Sequence, residues 1–163
     1  MNILFVCTGN TCRSSMAEGI FKYLLKEKNI ENINVSSAGI SAFEGDKAND
    51  KAINTLNRKG IDILTHRARQ ITKQIINESN LILTMTLSHK KMIVNEVPEY
   101  SNKVYTLREF AYIISNEEIG CKNLDIADPY GLDYNVYEQC ANEIQHQLEK
   151  IIINLDKITT LQV

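Results

Sequence analysis

The first twenty-eight residues constrain the fold of this chain more than any later stretch. Met1-Asn2-Ile3-Leu4-Phe5-Val6 is a short apolar run, the pattern of a parallel strand buried on both faces. Across 15–28 the apolar residues Met16, Ile20, Tyr23, Leu24 and Leu25 mark an amphipathic helix. Between the two lies Cys7-Thr8-Gly9-Asn10-Thr11-Cys12-Arg13-Ser14, a strand-to-helix turn. The next strand, reached through that helix, is expected to lie parallel to the first by a right-handed crossover.

Such a turn leaves backbone N–H groups free at the positive end of a helix dipole, where anions bind. Successive N–H groups turned inward make a nest for a tetrahedral oxyanion. Arg13 adds a planar fork that can hold two phosphoryl oxygens at once, a geometry that lysine cannot copy. Cys7, at the strand end and facing the helix N-terminus, is expected to ionise well below the free-thiol value of roughly 8.5. A thiolate beneath a cradled phosphate stands in line for attack on phosphorus, giving a phospho-cysteine. Ser14 is expected to hydrogen-bond the Cys7 sulfur, and Gly9 to supply a residue free to take positive φ. Plainer readings compete with these. Buried cysteines are common as small core hydrophobes, and similar corners occur in most α/β domains. Cys7 and Cys12 as half of a metal site is disfavoured, because no His or second Cys pair is near them.

The rest of the chain alternates strand and helix patterns. Strands are expected at 34–39, around Leu81-Ile82-Leu83, and at 103–106. Helices are expected at 46–58, buried through Ala48, Ala52, Ile53 and Leu56, with Gly60 after the end. Further helical stretches are expected at 75–79, at 88–95 with Ser88 as N-cap, and at 107–114. From 133 to about 158, Val136, Tyr137, Cys140, Ile144, Leu148, Ile151, Ile152 and Leu155 recur at steps of three and four, the stripe of a helix packed on a sheet. Residues 61–72 and 117–125 read as connections. His66, Arg67 and Arg69 in the first of these read as solvated surface charge rather than a substrate-facing rim. The sum is a three-layer α/β/α domain with a four-stranded parallel sheet and an active site beyond the carboxyl ends of the strands.

At 163 residues the chain is expected to be one domain with a single core. A net charge of −2 gives no global attraction to nucleic acid or anionic membrane. No apolar run approaches the roughly 20 residues of a membrane span, and the N-terminus lacks the basic flank of a signal peptide. The four cysteines are too few and too scattered for a disulfide framework, and a reducing cytoplasm suits a thiolate enzyme. No metal or cofactor is expected, and a monomer is. Cys121 and Cys140 are expected to have no chemical role.

Cys7-Thr8-Gly9-Asn10-Thr11-Cys12-Arg13-Ser14 followed by Met16-Ala17-Glu18 resembles the signature of the low-molecular-weight protein tyrosine phosphatases. The resemblance continues in order through Ser37-Ala38-Gly39, Ala68-Arg69-Gln70-Ile71-Thr72 and Asp128-Pro129-Tyr130-Gly131, covering nearly the whole chain. It implies a single phosphatase domain over 1–163 that acts on phosphorylated proteins. In that family's terms Cys7 is the nucleophile, residues 8–14 bind phosphate, and Arg13 holds the transferred group. Taken alone, Asp128 before Pro129 is a common turn former. The resemblance makes it the general acid for the departing group and then the base for the water that clears the phospho-cysteine. Tyr130 resembles an aromatic wall of the substrate cleft. Cys12, close to Cys7 in one loop, suits a reversible disulfide that spares the nucleophile from irreversible oxidation.

Within the family, Thr11 and Met85-Thr86 resemble bacterial protein arginine phosphatases. Tyrosine phosphatases usually carry a bulkier aliphatic residue at the position of Thr11 and an acidic one at that of Thr86. A guanidinium leaving group has N–H groups that need acceptors, and the Thr11 hydroxyl and the Asp128 carboxylate can supply them. Phosphoarginine in proteins is the expected substrate, with phosphotyrosine the alternative. An arsenate reductase would need further cysteines between residues 81 and 91, where the chain has none. A silent phosphate-binding module is disfavoured because Cys7, Arg13 and Asp128 are all present.

Overall fold

Asn2–Cys7 forms the first strand, β1, and everything else is arranged around it. A computed structural model of the chain describes residues 1–160. The elements run β1 (Asn2–Cys7), α1 (Arg13–Glu27), β2 (Asn34–Gly39), α2 (Asp50–Asn57), α3 (Lys73–Glu78), β3 (Leu81–Thr84), α4 (Leu87–Glu96), β4 (Val104–Thr106), α5 (Leu107–Ile114) and α6 (Tyr134–Ile153). The sheet is all parallel with order β2-β1-β3-β4, so β1 is paired on both edges. Cys7 lies opposite Gly39, and Val6 opposite Thr84, at the carboxyl ends of these strands.

The two faces of β1 follow the period of two. Ile3, Phe5 and Cys7 pack into the larger core, with Met16, Ile20 and Phe21 of α1 and Tyr137, Ile144, Leu148 and Ile151 of α6. Leu4 and Val6 pack into the second core, with Ile76 of α3, Ile93 of α4 and Val97. Leu4, Phe5 and Val6 are fully buried, each side chain contributing roughly 1.5–3 kcal/mol by the area it removes from water. That anchorage fixes where Cys7 ends. Among the described residues no helix is long and apolar enough to cross a membrane.

Three local expectations shift. The helix expected at 46–58 starts four residues later, because Lys47 is held in an antiparallel bridge with Arg67 and Asn49 caps the helix by accepting from the Lys51 amide. The N-cap of α4 is Thr86, not Ser88: the Thr86 hydroxyl accepts from the His89 amide, which leaves Ser88 exposed within the first turn. The last helix stops at Ile153, and Leu155–Thr160 continues as a 3-10 turn.

Candidate active site

The turn after β1 coils beneath a cleft of about 290 Å³. Cys7, Thr8, Gly9, Thr11, Cys12 and Arg13 line it on one side, with Asp128 and Tyr130 opposite and Ser41, Phe43 and Asp46 at the rim. Among the described residues nothing accepts the amide protons of Gly9, Thr11, Cys12 or Arg13, so these donors are free to bind an anion. The loop is tied to its neighbours through its carbonyls. Ile40 N–H donates to the Cys7 carbonyl, Ser41 N–H to that of Thr8 and Asn49 N–H to that of Thr11. Gly39 permits this close approach, since a Cβ there would sit 2.5 Å from the Thr8 carbonyl oxygen.

The residue that takes positive φ is Asn10, at 56°, and not Gly9. Asparagine tolerates this region better than most side chains, and here tertiary contacts hold it there. Asn10 is fully buried. Its side-chain oxygen accepts from the Arg69 amide at 3.0 Å, which fixes the orientation of the amide group. The Asn10 NH2 then donates to Ser14 Oγ at 2.9 Å and to Ser37 Oγ at 2.8 Å. Having accepted from Asn10, Ser14 has its own proton for the Cys7 sulfur, 2.9 Å away. The Asn10 N–H also points at that sulfur, at 3.3 Å. Ser37 in turn donates to Glu18 at 2.5 Å. A hydrogen-bonded chain therefore runs from the Glu18 carboxylate through Ser37, Asn10 and Ser14 to the sulfur.

His66 and Arg69 belong to this buttress, which corrects their reading as solvated charge. His66 Nε2 is 2.7 Å from the Asn10 carbonyl oxygen, and Arg69 Nε donates to the Ser37 carbonyl at 2.9 Å. Arg67 remains exposed, as expected. Ser37 and Arg69 lie in the stretches that carried the family resemblance, but nothing local marked them as supports of the loop. The signal that could have found Asn10 was its residue type, an asparagine in a tight turn.

Arg13 is buried and reaches across the cleft floor. Its two terminal nitrogens donate to the Ile126 carbonyl at 3.1 Å and to Asp128 Oδ2 at 2.6 Å, while its buried Nε has no partner. Asp128 is half exposed, and its other oxygen accepts from the Tyr130 amide at 3.1 Å. It is thus a turn former as well as the partner of Arg13. The loop that carries it is pinned to the end of β3 by Ile126 N–H donating to the Met85 carbonyl. Tyr130 is 71% exposed.

Thr11 Oγ1 is 3.7 Å from the Cys12 sulfur, which also meets the hydroxyl of the buried Tyr137 at 3.4 Å. Burial pushes the Cys12 thiol up from its ordinary value. Burial also pushes Cys140 up to about 12, where its thiol faces the Ala127 carbonyl. Cys121 is exposed. A histidine absent from the sequence expectations completes the loop's surroundings: His89 Nε2 is 2.9 Å from Thr8 Oγ1.

The family model described as "Low molecular weight phosphotyrosine protein phosphatase" matches residues 2–161. A protein-arginine-phosphatase of Bacillus subtilis (strain 168) is 36% identical over 96% of this chain and 98% of its own length. A probable low molecular weight protein-tyrosine-phosphatase EpsP of Ralstonia nicotianae is 33% identical over 90% of each chain. Among solved structures, the YwlE arginine phosphatase, as a mutant with a phosphorylated active-site serine, superposes with a TM-score of 0.87 at 34% identity, covering 99% of both chains.

Proposed function

From the premise that the chain belongs to the low molecular weight phosphotyrosine protein phosphatase family, we propose that it removes phosphate from phosphoarginine in proteins by way of a phospho-cysteine. The free amides of the loop and the unpartnered Arg13 Nε bind the phosphoryl oxygens. As the Arg13 fork turns to these oxygens, Asp128 is released towards the leaving group. The Cys7 sulfur attacks phosphorus, the bond from phosphorus to nitrogen breaks, and Asp128 gives its proton to the departing guanidine. Water then attacks phosphorus, Asp128 takes a proton from it, and the S–P bond breaks to return the thiolate and inorganic phosphate. Ser14, donating to the sulfur, supports it as nucleophile and as leaving group.

The observation that carries the choice of substrate is Thr11 in the cleft wall. With Asp128 across the cleft, it offers oxygen acceptors to a planar leaving group rich in N–H. Thr11→Ile should lower kcat/KM on a phosphoarginine peptide by about ten- to a hundredfold while preserving activity on the matched phosphotyrosine peptide. An unchanged ratio, or an unaltered protein that prefers phosphotyrosine, would replace this reading with the tyrosine one. Phe43 and Tyr130, aromatic side chains lining the same cleft, are what favours that second reading.

Two further attributes belong to the proposal. Cys7 and Cys12, both free and buried in one loop, close to a disulfide when Cys7 is oxidised. Dithiothreitol should then restore the peroxide-treated protein, and Cys12→Ser should make the loss irreversible. Four free thiols among the described residues suit a reducing cytoplasm, and the protein acts there as a monomer.

A further inference from the structure

His89 lies in the first turn of α4 and is buried. Its side chain spans two hydroxyls, with Nδ1 2.9 Å from Thr86 Oγ1 and Nε2 2.9 Å from Thr8 Oγ1. Thr86 is the N-cap of α4 and already accepts from the His89 amide at 3.2 Å. Thr8 lines the catalytic cleft next to the nucleophile. Three side chains therefore connect the cap of α4 to the phosphate loop, although Thr8 and His89 are 81 positions apart in sequence.

The protonation state of this bridge follows from its surroundings. The charged groups that act on the imidazole are Arg13 of α1, which opposes a second cation, and Asp125 and Asp128 of the facing loop, which favour one. Burial, joined by Arg13, outweighs the two carboxylates and lowers the His89 pKa to about 4, so the ring is neutral near pH 7. A neutral imidazole has one donor and one acceptor. Thr86 Oγ1 already accepts one bond, and its own proton is used if it donates to Nδ1. Nε2 then carries the ring proton and donates to Thr8 Oγ1. Thr8, accepting from His89, has its hydroxyl proton left to point into the cleft. In the opposite tautomer Thr86 would accept twice with its proton unused, and Thr8 would spend its proton on the ring.

We propose that His89 is a positioning residue which, as the neutral Nε2–H tautomer held by Thr86, turns the Thr8 hydroxyl into a hydrogen-bond donor to the bound phosphoryl group. This rests on the phosphatase reading, but its structural half is measured without substrate. The Thr8 hydroxyl is thereby one more side-chain donor in a cradle otherwise made of amides and Arg13. A carboxylate at position 86 can only accept, so it would force the other tautomer and withdraw that donor. The cap of α4 thus sets what the phosphate loop offers its substrate.

Nitrogen-15 NMR of the histidine rings in the unaltered protein should show His89 with Nε2 protonated and Nδ1 bare, titrating only near pH 4. An Nδ1–H ring, or one that titrates near the ordinary histidine value of about 6.5, overturns the proposal. In kinetics with an aryl phosphate, Thr8→Val and His89→Ala should each lower kcat/KM by about five- to twentyfold. The double variant should lose no more than either single one, because both remove the same donor. Losses that multiply, or a Thr8→Val protein as active as its parent, also overturn it. His89→Gln, whose amide can donate where Nε2–H did, should recover part of the activity and keeps the kinetic arm usable if His89→Ala fails to fold. A parent protein inactive on every phosphate ester would refute the phosphatase reading, while the ring-nitrogen spectrum would still judge the tautomer.

Discussion

The phosphate loop and the Asp128 loop face each other across one cleft, yet Asn10, Arg13 and Ser14 are buried while Asp128 is half exposed and Tyr130 is 71% exposed. On the phosphate side, each polar side chain beneath the loop has its direction fixed by another: Arg69 fixes Asn10, Asn10 fixes Ser14, and Ser14 aims at Cys7. On the far side one ion pair and one turn hydrogen bond hold Asp128, and Tyr130 is open to solvent. The contrast matches the chemistry proposed for each side. The phosphoryl group is the same in every substrate, so donors built in place beforehand need no reorganisation when charge develops. The leaving group differs between substrates, and a solvated wall can change without disturbing the cradle. Specificity is therefore expected to vary on the exposed side and at Thr11, the one half-buried loop side chain in the cleft wall, and catalytic power on the buried residues beneath the loop.

The largest test of that division is in the cradle. Cys7→Ser should abolish turnover while phosphate binding survives. Arg13→Lys should cost about 10²–10³-fold in kcat although the charge is kept, because the fork is lost. If Arg13→Lys turned over nearly as well as its parent, the buried side would be acting as a point charge and not as a shaped cradle.

Asp128→Asn tests the opposite wall. It should cost about 10²–10⁴-fold on a phosphoarginine peptide and little on an activated aryl phosphate that departs unaided. Equal losses on both would mean that Asp128 matters through its pair with Arg13 and the Tyr130 amide, as a fixed part of the site.

The smallest effect separates the backbone of the cradle from its hydrogen bonds. Asn10→Gly keeps the left-handed φ without strain and loses only the side-chain bonds, whereas Asn10→Ala loses both. Chemical denaturation should place Asn10→Ala about 1 kcal/mol below Asn10→Gly, the usual cost of holding a residue with a Cβ in that region. Both should lie below the parent, because Ser14, Ser37 and the Arg69 amide lose a buried partner. Equal stability of the two variants would show that Asn10 was chosen for its amide alone.

What the sequence determined by itself was whatever depends on neighbours along the chain. The buried run of β1, the stripe of α6 and the placing of a cysteine and an arginine around a strand-to-helix turn are local patterns, and each survives folding because burial rewards the same period that the sequence displays. Cap positions depend on more than the sequence, since Ser88 and Thr86 both carry a hydroxyl suited to a cap and the hydrogen bond from the His89 amide selects Thr86. The tertiary structure alone decided how the phosphate loop is held. Asn10 meets Ser37 from 27 positions away, His66 from 56 and Arg69 from 59, and His89 reaches Thr8 from 81. None of these pairs leaves a trace in local periodicity. That is why the positive φ belongs to Asn10 rather than to the permissive Gly9 beside it: the backbone there follows the buried polar contacts that have to be satisfied, not the residue with the most conformational freedom.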